Sequence, residues 1–160
     1  MNVISNSSPL INFSALGRLD ILQTLYGSVF IPGAVYHEVV VAGQHHPGAA
    51  EVKQATWIVQ KSVTNMAAVA ALHDLGRGEA EAIMLAVEHP GSLVILDDRQ
   101  GRLVAGHLGL NVIGTLGVLL VARRKGLIQS LATAIEQLQT RIGFRIRADL
   151  KAKVFQEAGE

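Results

Sequence analysis

Gly91-Ser92-Leu93-Val94-Ile95-Leu96-Asp97-Asp98 is the stretch on which the fold turns. Four consecutive aliphatic side chains, bounded by a glycine and by paired aspartates, describe a strand buried on both faces. Such a strand belongs to a parallel sheet covered by helices on each side, and the flanking sequence supplies the rest of it. Val3-Ile4-Ser5, residues 28–31, 57–63 and 111–113 read as further strands. Helices are expected at 9–16, 19–26, 33–42, 65–75, 79–89, 99–108, 116–125, 130–141 and 147–158. Pro32 suits the first turn of the helix it precedes, and Gly126 suits the end of another. The expectation is one α/β domain over residues 1–160, with a central parallel sheet of four to five strands and C-terminal helices from about 130 onward.

The 160 residues are 49% hydrophobic and 17% charged, with no cysteine. Thiol nucleophiles, disulfide frameworks and Cys-based zinc sites are therefore excluded. The longest strongly apolar run, Val112 to Ala122, contains Gly114, Thr115 and Gly117 and falls well short of the ~20 residues a spanning helix needs. The opening Met1–Ser5 has no basic start or long apolar core, so a cytoplasmic location is expected. Seven aromatic residues are few for a sheet that stacks bases. Neither glycine-rich phosphate-binding string occurs.

Charge is divided along the chain. Residues 1–98 hold four basic groups and nine acids, a balance of −5, whereas residues 99–160 hold ten basic groups and four acids, a balance of +6. An acidic site flanked by a basic segment suits metal ions and phosphates together. Ligands of open parallel sheets bind beyond the carboxyl ends of the strands, where this sequence places Asn6 and Asp97-Asp98. Helix capping is the competing role for each. Glu38 and Glu79 lie at helical spacing from apolar neighbours and are expected to point inward, whereas Glu81, sharing a face with Glu88 and His89, is expected to remain solvated. Inward carboxylates are costly unless paired or bound to a cation. First-turn dipole stabilisation is the competing role for Glu79, and escape to water at a helix end that for Glu38. Three carboxylates and an amide, with no His or Cys at ligand spacing, suit hard cations such as Mg2+ or Mn2+.

The segments Ile4-Ser5-Asn6-Ser7-Ser8-Pro9-Leu10-Ile11, Ile31-Pro32 with Glu38-Val39, Gly78-Glu79-Ala80-Glu81-Ala82-Ile83, Ile95-Leu96-Asp97-Asp98 with Arg102, and Gly114-Thr115-Leu116-Gly117 together resemble a PIN domain. More narrowly, they are similar to a prokaryotic branch related to the VapC toxins of toxin–antitoxin pairs. The resemblance implies a compact three-layer α/β/α sandwich and a Mg2+- or Mn2+-dependent ribonuclease that attacks RNA with a metal-activated water. It implies an antitoxin protein as partner and a homodimer. By the same resemblance Glu38, Glu79 and Asp97 are the catalytic metal ligands, with Asp98 as a substitute for Asp97. Asn6 stands where the family has its first acid, and Ser8 is the small hydroxyl residue that orients a water. An amide at position 6 leaves the set at −3 rather than −4. A PIN domain that binds RNA or protein without cutting is therefore the rival expectation.

Arg99 and Arg102 follow the Asp97-Asp98 edge closely enough for phosphate contact, although a solvated helix face accounts for them equally. Arg123, Arg124 and Lys125 suit a helix C-terminus. Arg141, Arg145, Arg147, Lys151 and Lys153 are open to assignment as a phosphate track or a protein-binding surface. His45-His46 read as a polar loop, and Trp57 as core.

Overall fold

The computed structural model describes all 160 residues. Five strands, β1 (Val3–Ser5), β2 (Val29–Ile31), β3 (Ile58–Gln60), β4 (Leu93–Ile95) and β5 (Asn111–Ile113), form one sheet in the order β3-β2-β1-β4-β5. Every pairing is parallel: Ile4 stands opposite Phe30 on one side, and Val3, Ile4 and Ser5 stand opposite Leu93, Val94 and Ile95 on the other. The helices are α1 (Ser7–Ala15), α2 (Asp20–Tyr26), α3 (Gly33–Tyr36), α4 (Ala49–Gln54), α5 (Met66–Ala71), α6 (Arg77–Glu88), α7 (Arg99–His107), α8 (Thr115–Arg124), α9 (Leu131–Ile142) and α10 (Ala148–Ala158). The result is an α/β/α sandwich with helices on both faces of an open sheet.

Alternation along the strands builds the two cores. Val3, Val29, Ile31 and Ile95 face α1, α2, α8 and α9, where Leu10, Phe13, Leu22, Leu119 and Ile135 are buried. Ile4, Val94 and Leu96 face the opposite way, onto Ala82, Ile83 and Ala86 of α6 and Ala105 of α7. Successive strand residues serving opposite layers explain the unbroken run at 93–96, because both sides of the sheet are covered at Val94, Ile95 and Leu96.

The strands and helices expected from sequence are present with shifted ends, and the differences have local causes. The expected helix over 33–42 continues from α3 into a π-helical turn over His37–Val41. The extra residue in each hydrogen-bonded ring rotates the side chains at the end of the turn, and Val41 is 54% exposed. The strand expected over 57–63 pairs only at Ile58–Gln60, at the sheet edge. The helix expected over 65–75 ends at Ala71. α4 was not expected; Gly48, at φ 102°, begins it and Glu51 accepts the Gly48 N–H.

Candidate active site

Strand order reverses at β1: β2 and β3 extend to one side, β4 and β5 to the other. Chains leaving the carboxyl ends of β1 and β4 consequently diverge and open a crevice between them. Asn6 follows β1, and Asp97-Asp98 follow β4. Asn6 precedes α1 but its side chain does not cap that helix. The residue is only 4% exposed, and its buried Oδ1 receives no hydrogen bond from the protein. A buried acceptor left so costs about 1–3 kcal/mol. Capping is therefore not the role of Asn6, whereas Asp98 does cap: its Oδ2 accepts the Gly101 N–H at 2.8 Å, at the start of α7.

Three of the four acids at this edge are held by helix N-termini. Glu38 accepts the Gly78 N–H of α6 at 3.0 Å and the Ser7 hydroxyl at 2.5 Å. Asp97 accepts the Thr115 N–H of α8 at 2.7 Å and the Thr115 hydroxyl at 2.5 Å, while the Asn12 amide donates to it at 3.1 Å and to the Thr115 Oγ1 at 3.0 Å. Free N–H groups and the helix dipole favour carboxylates in these places. Glu79 has no such host. It lies in the first turn of α6, close to Gly101 of α7, where a Cβ would approach its Oε2 to 3.2 Å. Burial, followed by the Asp98 and Glu38 charges, pushes its carboxyl up to about 7. A hydrogen bond to Asp98 acts in the same direction, since two ionised carboxylates cannot bond without a proton between them.

Several sequence expectations need correction. Glu38 is exposed and does not point into the core; because α3 packs against α6, it lies at the start of α6 instead. Glu81 is not solvated: it is 5% exposed, accepts the Ala34 N–H at 3.2 Å and pairs with Arg77 at 2.9 Å. The two glutamates thus make a reciprocal clasp, the turn after α3 supplying Glu38 to the start of α6 and α6 supplying Glu81 to the start of α3. Ser8 is exposed, and the hydroxyl that reaches an acid belongs to buried Ser7. Helix phase explains this, because adjacent residues point about 100° apart. Arg99 is exposed, and Arg102 donates to the Leu96 carbonyl at 3.0 Å beside Gly114. Sequence reasoning missed Asn12 and gave Thr115 no role; both are buried polar residues, one within α1 and one at the start of α8.

No three carboxylate or imidazole side chains form a ready-made cage for a cation. The donors nevertheless suit Mg2+ or Mn2+. They are all oxygen, Asn6 Oδ1 lacks a protein donor, and the charges of Asp98 and Glu38 both act against ionisation of Glu79. Mg2+ ordinarily takes one or two carboxylates and completes its shell with water and phosphate oxygens, so it needs no complete protein cage.

The molecule is thus an open, parallel α/β/α sandwich whose switch point carries a crowded carboxylate edge. A family model described as a PIN domain matches residues 2–160, and the chain belongs to that family. No curated protein matches it.

Proposed function

We propose that this PIN-domain protein is a ribonuclease dependent on Mg2+ or Mn2+, and that it acts as the toxin of a toxin–antitoxin pair. The observation that carries the reading is the Glu79 carboxyl, held without a backbone donor against Asp98 and Glu38. That arrangement is unfavourable in the apo protein and becomes favourable beside a divalent cation. A bound ion would supply Lewis-acid polarisation of the scissile phosphate and a nucleophilic water at neutral pH. Glu79 and Asp98 would hold it, and the unpartnered Asn6 oxygen at the end of β1 is the neutral donor available at the same edge of the sheet. Glu38, fixed by Ser7 and Gly78, would supply negative charge at the second side of the crevice. Asp97 keeps the β4 and α8 ends together through Thr115 and Asn12, and so orders the edge on which Asp98 stands.

The test is cleavage of structured and unstructured RNA at millimolar Mn2+, with Asp98→Asn, Glu79→Gln and Asp97→Asn alongside. Cleavage by the wild type, abolished in Glu79→Gln and Asp98→Asn, is expected. An inert wild type with normal folding overturns the reading. Growth arrest on induction of the wild type, absent for Asp98→Asn, is expected of a toxin.

A second reading is favoured by the amide at position 6 and by the absence of a three-carboxylate cage: a PIN domain that binds RNA or protein without cutting. Asn6→Asp separates the two. Under the second reading the wild type is inert and the variant gains cation binding and cleavage; under the first, the wild type already cleaves.

A further inference from the structure

Toward β5 the acidic edge continues into a groove of about 450 Å3 between the end of that strand, the start of α8, and α10. Asp97 lines it at the acidic edge. Leu116, Phe144 and Leu150 contribute apolar surface, and Arg102, Arg145 and Lys153 contribute positive charge. None of these three cations has a carboxylate partner within ion-pair distance. Glu157, the other acid in the groove, is itself paired with Arg124 at 3.9 Å. The volume falls within the roughly 300–1,000 Å3 typical of ligand clefts. An apolar surface with unpaired cations around it fits a nucleotide, whose flat base needs apolar contact and whose phosphate needs charge. A peptide whose side chains are acidic alone would use the cations and leave the apolar surface without a matching group.

We propose that this groove holds one nucleotide of a single-stranded RNA beside the acidic edge, its base against Phe144 and its phosphate on Arg145 and Lys153. The proposal rests on the ribonuclease reading for the identity of the strand, and it assigns α10 to substrate binding. Arg102, tied to the Leu96 carbonyl, sits where the strand passes from the groove to Asp97 and Asp98.

The test is fluorescence anisotropy with a labelled oligouridylate of about ten nucleotides, matched to typical single-strand site sizes, in EDTA so that cleavage does not intervene. The wild type is compared with Arg145→Ala/Lys153→Ala and with Lys53→Ala/Lys125→Ala, which removes the same charge outside the groove. Both Arg145 and Lys153 are exposed, so their removal leaves the core intact. Loss of two phosphate contacts should make the slope of log K against log salt shallower by about 1.4 and weaken binding about 10- to 30-fold at 0.1 M salt. Phe144→Leu, with folding checked by circular dichroism, should weaken binding about fivefold and leave the slope unchanged. Equal losses in the two double variants would mean diffuse charge rather than a site, and would overturn the proposal. Displacement of the RNA by an equimolar glutamate decapeptide would do the same in favour of an acidic protein segment. Cleavage is followed separately with Mn2+. Groove-dependent binding without cleavage removes the nuclease reading alone, and cleavage indifferent to the groove variants removes this inference alone.

Discussion

Replacing Glu79 with glutamine should make the cation-free protein more stable at pH 8 and leave it almost unchanged at pH 4. In the folded chain the Glu79 carboxyl sits at about 7, against an ordinary value of 4.5. Burial comes first among the causes, then Asp98 and Glu38. Below the ordinary value the carboxyl is protonated in both folded and unfolded chains and has no net effect. As pH rises, the unfolded chain releases its proton first, so the native state loses stability until the folded carboxyl ionises near 7. The full difference corresponds to about 3 kcal/mol at roughly 1.4 kcal/mol per pH unit. Because the side chain is only partly shielded from water, about half of that, roughly 1.5 kcal/mol, is the expected loss. A glutamine side chain keeps the shape without the charge and should escape it. Urea unfolding in EDTA, at several values between pH 4 and 8, reads the difference. With a slope of about 2 kcal/mol per molar, the variant's midpoint should lie about 0.7 M above the wild type's at pH 8. Millimolar Mn2+ should raise the wild type and not the variant. Parallel curves across pH, or a wild type that gains on the variant as pH rises, would refute the account of crowded charge.

Other substitutions test how the edge is held. Asn12→Ala removes a buried donor shared by Asp97 and Thr115 and should cost about 1–3 kcal/mol in chemical denaturation; Asn12→Asp, which sets a second carboxylate against Asp97, should cost more, and equal costs would show that the amide is not a donor there. Gly78→Ala places a Cβ 2.5 Å from the Glu38 Oε2. The carboxylate must move off Ser7 and the α6 N-terminus, so cleavage should fall even though Ala favours the helix by about 1 kcal/mol. Glu160 accepts the Leu131 and Ala132 N–H groups and the Ser130 hydroxyl at the start of α9, and these bonds, Leu131 first, hold its carboxyl below the usual range. Its contribution is present above about pH 4.5 and lost as pH falls. Glu160→Ala should therefore lower thermal stability by about 1 kcal/mol at pH 7, with the gap to wild type closing on acidification.

Residues 93–96 announced a parallel, doubly covered sheet because an all-apolar run of that length has no water-facing side, and the cores on its two faces bear this out. The ends of β1 and β4 were visible as Asn6 and Asp97-Asp98 for the same reason: polar residues that interrupt buried strands must lie where the sheet stops. Individual side-chain directions were harder to read. A helical wheel sends Glu38 among apolar neighbours, and only the packing of α3 against α6 sets it at the Gly78 N–H. The same wheel sends Glu81 to solvent, but α3 packs against α6 and presents the Ala34 N–H and a buried environment.

What the sequence determined by itself is thus the layer architecture and the place of Asn6 and Asp97-Asp98 at its edge, since both follow from local hydrophobic pattern. Asp98 is anchored locally, as the cap of the helix that follows it, but whether Glu38, Asp97 and Glu79 are anchored was decided by tertiary structure. Helix N-termini at Gly78, Gly101 and Thr115 supply the donors for Glu38, Asp98 and Asp97, and no local pattern records that Glu79 receives none. The partners lie 40 residues apart along the chain for Glu38 and 18 for Asp97, so their meeting depends on how the helices pack rather than on spacing within any one of them.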